Sequence, residues 1–135
     1  MRSRQRSPPA IPRALQRLYA AVDAADSGSC RPDFAIALYP EHLAIPEHHF
    51  VLNPDIRVTS KTPLALLVQS ENDPVDPVEN SLVYHAALRK AGVPVELHVY
   101  VKEGHAFGLR PNGFPITDWP RVAEHWLGTI GVTPK

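Results

Sequence analysis

The chain has 135 residues, 44% of them hydrophobic, and its 14 basic and 14 acidic side chains cancel to a formal net charge of zero. That length and composition fit one globular domain with a real core rather than a disordered chain. Balanced charge gives no electrostatic case for nucleic acid or an acidic membrane surface as a partner, and no apolar run approaches the ~20 residues a membrane span needs.

The charge is unevenly spread. Residues 1–22 hold five arginines and no acid, so the remainder is net negative by five. No apolar core region follows those arginines, so no secretory signal is expected and the cytoplasm is the default compartment. Residues 1–17, rich in Arg, Ser and Pro, are expected to be a disordered or mis-started leader (an organelle transit peptide is the alternative), ahead of a domain over 18–135. Ala14 to Ala21 allows either a short helix or an extended connection. Cys30 is the single cysteine, which excludes an internal disulfide framework and reads as a small structural residue. The 15 prolines fall mostly between candidate elements, as in a loop-rich α/β domain.

The first element is the continuous apolar run at 33–39, ended by Pro40, which predicts a strand buried on both faces. Glu41 to Pro63 is a long excursion, expected to form a rim or lid. Its Glu47-His48-His49 invites a metal reading, but adjacent residues point apart on any regular element and zinc-type spacings are missing. A second buried strand follows at 64–69. Residues 78–91 predict a helix, with Leu82, Tyr84, Ala86, Ala87 and Leu88 as apolar positions, Asp76 or Asn80 as its cap, and Gly92 as its stop. The run 95–101 predicts a third strand, whose Glu96 and His98 make one face polar, as at a sheet edge. A last helix over 118–130, capped by Asp118, gathers Trp119, Val122, Ala123, Trp126, Leu127 and Ile130 on one stripe. These elements predict a parallel, right-handed α/β arrangement of about three strands with flanking helices.

Two loops carry the chemistry. Glu71-Asn72-Asp73-Pro74-Val75 follows the second strand, and Lys102-Glu103-Gly104-His105-Ala106-Phe107-Gly108 follows the third. In open parallel sheets, reactive side chains converge at those carboxyl ends. An acid on one strand end and an imidazole on the next can meet there, the acid fixing the tautomer of the histidine and stabilising its cation. Glu71 and Asp76 compete with Asp73 as the acid. His85, His98 and His125 read as ordinary histidines of helices or a strand.

The order acid then histidine, with Asp-Pro-Val and Pro-Val-Glu-Asn-Ser on one loop and Gly-His-Ala-Phe-Gly on the other, resembles the C-terminal part of an α/β-hydrolase. The nearest group is the acetyl-xylan-esterase and dienelactone-hydrolase-like esterases, related to prolyl-oligopeptidase catalytic domains. The resemblance runs from about Tyr19 to Val132 and is densest between Leu64 and Arg110. It implies that Asp73 and His105 are the acid and histidine of a Ser-Asp-His triad, that the substrate is a small-molecule or carbohydrate ester, and that no cofactor or metal is needed. The serine of such a triad sits on a Gly-x-Ser-x-Gly elbow. This sequence contains none. Ser27, Ser29, Ser70 and Ser81 all lack the strand–elbow–helix context.

Three readings remain: a C-terminal fragment of a serine ester hydrolase, a non-catalytic α/β module whose partner chain supplies the nucleophile half, or a complete small enzyme using another serine or water. The chain alone is expected to lack serine-esterase activity. The missing half would also leave the strand at 33–39 with an open edge, so self-association through it is expected.

Overall fold

The computed structural model describes residues 31–133. The expectations for residues 1–17, for Ala14 to Ala21, and for Ser27, Ser29 and Cys30 lie outside the described residues.

The three expected strands form β1 (Phe34–Leu38), β4 (Leu64–Ser70) and β5 (Val95–Tyr100), joined in one parallel sheet in the order β1-β4-β5. Register runs from Phe34 opposite Leu64 to Leu38 opposite Val68, and from Ala65 opposite Val95 to Ser70 opposite Tyr100. β4 holds the centre because its side chains are apolar towards both faces and both faces are covered. Leu66, Leu67 and Val68 are fully buried.

On one face, Leu66 and Val68 pack with Phe107, Ile116 and the α2 residues Ala123 and Trp126, where α2 is Trp119–Thr129. Phe34 meets the Trp126 ring edge-on at 5.8 Å between centroids. On the other face, Ala65 and Leu67 pack with Leu88 of α1 (Glu79–Lys90) and with Val93. The molecule is therefore a helix–sheet–helix sandwich around β4. β1 contributes Phe34, Ile36 and Leu38 to one cluster and Ala35 and Ala37 to the other, yet all five residues are only half-buried. The reason is position: β1 lies at the sheet edge, with no further strand beside it among the described residues.

The excursion is more ordered than a plain loop. It contains a short antiparallel pair, β2 (Ala44–Ile45) with β3 (Val51–Leu52), connected through a 3₁₀ turn at Pro46–His48. That pair is fixed by Asn80. Its Oδ1 accepts the backbone N–H groups of Leu43 and Ala44 at 2.9 and 2.8 Å.

The expected helix caps need correction. α1 begins after Val78 with no side-chain cap; Asn80 is drawn away to the hairpin, and Asp76 turns towards His105. Asp118 does occupy the position before α2, but its carboxylate pairs with Arg121 at 3.3 Å instead of capping. Gly92 does end α1 in the left-handed region, at φ +75°, and its N–H donates to the Arg89 carbonyl. No helix among the described residues is long and apolar enough to cross a membrane.

Candidate active site

The site forms where the carboxyl ends of β4 and β5 lie side by side. β4 runs from apolar residues into Gln69 and Ser70, two polar residues with no exposure at all. Buried polar groups must find partners, and these organise the acid loop. Gln69 Nε2 donates to the Asp76 carbonyl at 3.0 Å, while its Oε1 accepts from the Ser81 hydroxyl at 3.1 Å. Asp73 Oδ1 accepts the N–H groups of Val75 and Asp76 at 2.8 and 2.9 Å, which closes a tight Asx-type turn. The other oxygen, Oδ2, is left to face the histidine loop.

Backbone bonds stitch the two loops together. Glu71 N–H donates to the Tyr100 carbonyl at 2.7 Å. Gly104 N–H is shared between Ser70 Oγ at 3.1 Å and Asn72 Oδ1 at 2.9 Å. Beyond Gly104 the chain turns sharply: Glu103, Gly104, Ala106 and Gly108 all have positive φ, from 53° to 125°. Glycine reaches that region at no steric cost, whereas Glu103 and Ala106 hold it against their Cβ atoms. Trp119 of α2 secures the far end by donating its indole N–H to the Gly108 carbonyl at 2.7 Å.

This folding delivers His105 Nδ1 to Asp73 Oδ2 at 3.0 Å. Ionised Asp73 can only accept, so Nδ1 carries the proton and Nε2 keeps a free lone pair. Nε2 has no hydrogen-bond partner among the described residues, so the imidazole can take a proton there. Burial alone would push the Asp73 carboxyl up, but the Asp76 and Val75 N–H groups and His105 outweigh it and hold it below the ordinary carboxylate value. Asp76 is a second carboxylate on the same nitrogen, with Oδ2 3.3 Å from Nδ1. Burial, the charge of Glu41 and that of Asp73 push its carboxyl above the ordinary value, against the pull of His105 and His42.

Of the competing acids, Asp73 and Asp76 reach His105, while Glu71 stays exposed. Ser70 and Ser81 are buried with their hydroxyls engaged, on Asn72 and Gln69 respectively. His98 pairs with Glu96 at 2.6 Å on β5, and Glu47, His48 and His49 are exposed. Among the described residues, the grouping with metal-ligand potential is Asp73, Asp76 and His105, whose ligand atoms lie within 4.8 Å of one another. Their direct hydrogen-bond and ion-pair contacts already account for that closeness.

Sequence reasoning missed Tyr39. Its ring lies 4.8 Å from the His105 ring and 4.9 Å from Phe107, edge-on to the latter. Tyr39 therefore walls one side of the imidazole from the end of β1. Its signal was its position at a third strand end in the same sheet. A cavity of about 460 Å³ runs from the edge of β1, at Ile36 and Leu38, past Tyr39 and Glu41 to Asp76 and His105.

A family model settles the lineage: that of the prolyl oligopeptidase family matches residues 38–128. The chain belongs to that family. No protein of curated function matches it. Among solved structures, this prolyl-oligopeptidase-family chain is similar to an acetyl ester-xyloside bifunctional hydrolase from Caldicellulosiruptor lactoaceticus. The two share 33% identity at a TM-score of 0.66, over 76% of this chain and 44% of the other. A sugar hydrolase from Lactococcus lactis is 26% identical at a TM-score of 0.64, over 82% of this chain and 53% of the other. Esterase 2 from Thermogutta terrifontis, phosphoramylated by tabun, shares the fold at 18% identity and a TM-score of 0.65, over 83% and 47%. The chain thus has the α/β-hydrolase fold, and it spans about half the length of these structures.

Proposed function

We propose that the chain carries the acid and the general base of a Ser-Asp-His ester hydrolase, Asp73 and His105, as the C-terminal part of that catalytic domain. The observation that carries this reading is the 3.0 Å contact between Asp73 Oδ2 and His105 Nδ1, with no hydrogen-bond partner on Nε2 among the described residues and a cavity lined by His105 beside it. In the reaction, Nε2 takes the proton of a serine hydroxyl as it attacks the ester carbonyl, then returns it to the departing alcohol. Asp73 keeps the tautomer and stabilises the imidazolium without taking the proton. A Gly-x-Ser-x-Gly serine and the oxyanion donors come from polypeptide outside this sequence.

The substrate class is a small-molecule or carbohydrate ester, a reading supported by the 33% identity to the acetyl ester-xyloside hydrolase. A second reading, that the chain is a module pairing with a separate nucleophile-bearing chain, is favoured by the edge of β1, which has no further strand beside it among the described residues and lies next to the cavity. Both readings predict the same chemistry once the halves meet.

The test is complementation. The chain alone is expected to leave p-nitrophenyl acetate unhydrolysed, because triad members work as a unit. Mixed or co-expressed with the nucleophile-bearing half of a related esterase, it is expected to restore turnover and serine labelling by a fluorophosphonate, both lost in His105→Ala. Turnover by the chain alone that depends on His105 would overturn the fragment reading. Restored turnover that survives His105→Ala would remove His105 from the site.

A further inference from the structure

His105 meets two carboxylates at one nitrogen. Nδ1 lies 3.0 Å from Asp73 Oδ2 and 3.3 Å from Asp76 Oδ2. Nδ1 has a single N–H to donate, and Asp73 Oδ2 accepts that hydrogen bond, so the resting pair does not need Asp76. Helix capping does not explain its inward orientation either, because α1 has no side-chain cap. Asp76 is nevertheless held there: its N–H donates to Asp73 Oδ1 and its carbonyl accepts from Gln69 Nε2. Only 10% of its side chain is exposed, and it lines the cavity together with Glu41 and His105.

The geometry points to Asp76 as a positioning residue for His105: a second, standby acceptor for the Nδ1 proton that shares with Asp73 the stabilisation of the imidazolium. This inference rests on the catalytic reading of the Asp73–His105 pair. When His105 is neutral, one acceptor suffices and Asp76 is a desolvated carboxylate repelled by Glu41 and Asp73. When His105 takes a proton at Nε2, the ring becomes a cation with two anions against Nδ1, and the repelled carboxylate gains an attraction. Asp76 therefore favours the charged ring more than the neutral one. That is the differential stabilisation a general base needs as it removes a proton.

The experiment reads the ring of His105 in the chain itself by long-range ¹H–¹⁵N NMR, which distinguishes the two tautomers and the cation. In Asp73→Asn, the new amide should keep its oxygen on the Val75 and Asp76 N–H groups and turn its NH₂ towards Nδ1. Asparagine alone would then select the opposite tautomer, protonated at Nε2. With Asp76 as standby acceptor, Asp73→Asn is expected to retain an Nδ1–H population that disappears in Asp73→Asn/Asp76→Asn. In Asp76→Asn, with Asp73 intact, the Nδ1–H tautomer should persist while the cation forms at a pH lower by about one unit. Asp76→Glu should recover part of that shift. The Asp76 variant also decides the matter if Asp73→Asn fails to fold.

An unchanged titration in Asp76→Asn would overturn the inference, as would complete loss of Nδ1–H in Asp73→Asn alone; the Asp73–His105 reading would survive either result. A parent chain whose His105 is protonated at Nε2 rather than Nδ1 would overturn that reading itself.

Discussion

Asp73 and Asp76 stand three positions apart on one turn and have opposite relations to charge. The Asp73 carboxyl is lowered, so the native state favours its ionised form; that stability is present above the unfolded carboxylate value, near ~4, and is lost as pH falls through the lower native value. The Asp76 carboxyl is raised, so the native state favours its neutral form. Its ionisation costs stability at neutral pH, and the cost disappears as pH falls through the raised value. Asp73→Asn is thus expected to lower the unfolding free energy measured by urea titration at pH 7 by about 1–3 kcal/mol, for disrupting a buried, hydrogen-bonded group. Asp76→Asn is expected to raise it, and both differences should shrink on acidification. Equal destabilisation by the two variants would contradict the assignment. At this scale, the contact between Asp73 and His105 was legible because strand ends, the order acid then histidine and flanking glycines each leave a local mark. Asn72 and Gln69 left none, because they act through hydrogen bonds; Tyr39 had only its place at a strand end, and its ring contact with His105 joins residues far apart along the chain.

The elements were legible wherever burial dictated pattern. β4 is apolar from Leu64 to Val68 before it reaches the buried Gln69 and Ser70, and α2 keeps Ala123 and Trp126 on the stripe that meets the sheet. Local capping chemistry misled, since a side chain near a helix start can satisfy the helix or a tertiary partner, and Asn80 and Asp76 both took tertiary partners. The hairpin of β2 and β3 was hidden because two-residue strands carry no period. β1 exposes the strongest consequence at this scale. It is flanked by Pro32 and Pro40 but carries no charge or proline within Phe34–Leu38, so nothing within the strand itself blunts its edge. Ile36→Lys at that edge is expected to cut concentration-dependent association, and to lower stability because Ile36 also packs on the core around Leu66 and Val68. Sedimentation velocity over a wide concentration range checks it. A parent chain that stays monomeric throughout would contradict the open edge.

At the scale of the molecule, two helices among the described residues cover opposite faces of a three-stranded sheet, and the Asp73–His105 contact sits at one end of it. The parallel pairing of β1, β4 and β5 was readable because a helix separates β4 from β5 and a long excursion separates β1 from β4. What the sequence could not convey was how far a half-length chain would keep the site assembled. The answer lies in the bonds that cross between loops: Glu71 to Tyr100, Gly104 to Ser70 and Asn72, and Asp73 to His105. None of them requires a residue outside this chain.

The bond from the Trp119 indole to the Gly108 carbonyl makes the site visible by light. The protein has only two tryptophans, and the other, Trp126, lies in the core with 5% exposure. In Trp126→Phe, all indole emission comes from the ring that holds the histidine loop. Release of that loop would hydrate the indole and move its emission to longer wavelength before the core melts. A red shift that precedes loss of helical circular dichroism during urea titration is the expected outcome; coincident transitions would mean that loop and core come apart together. Such a variant would report, without any substrate, whether a nucleophile-bearing partner tightens the loop that carries His105.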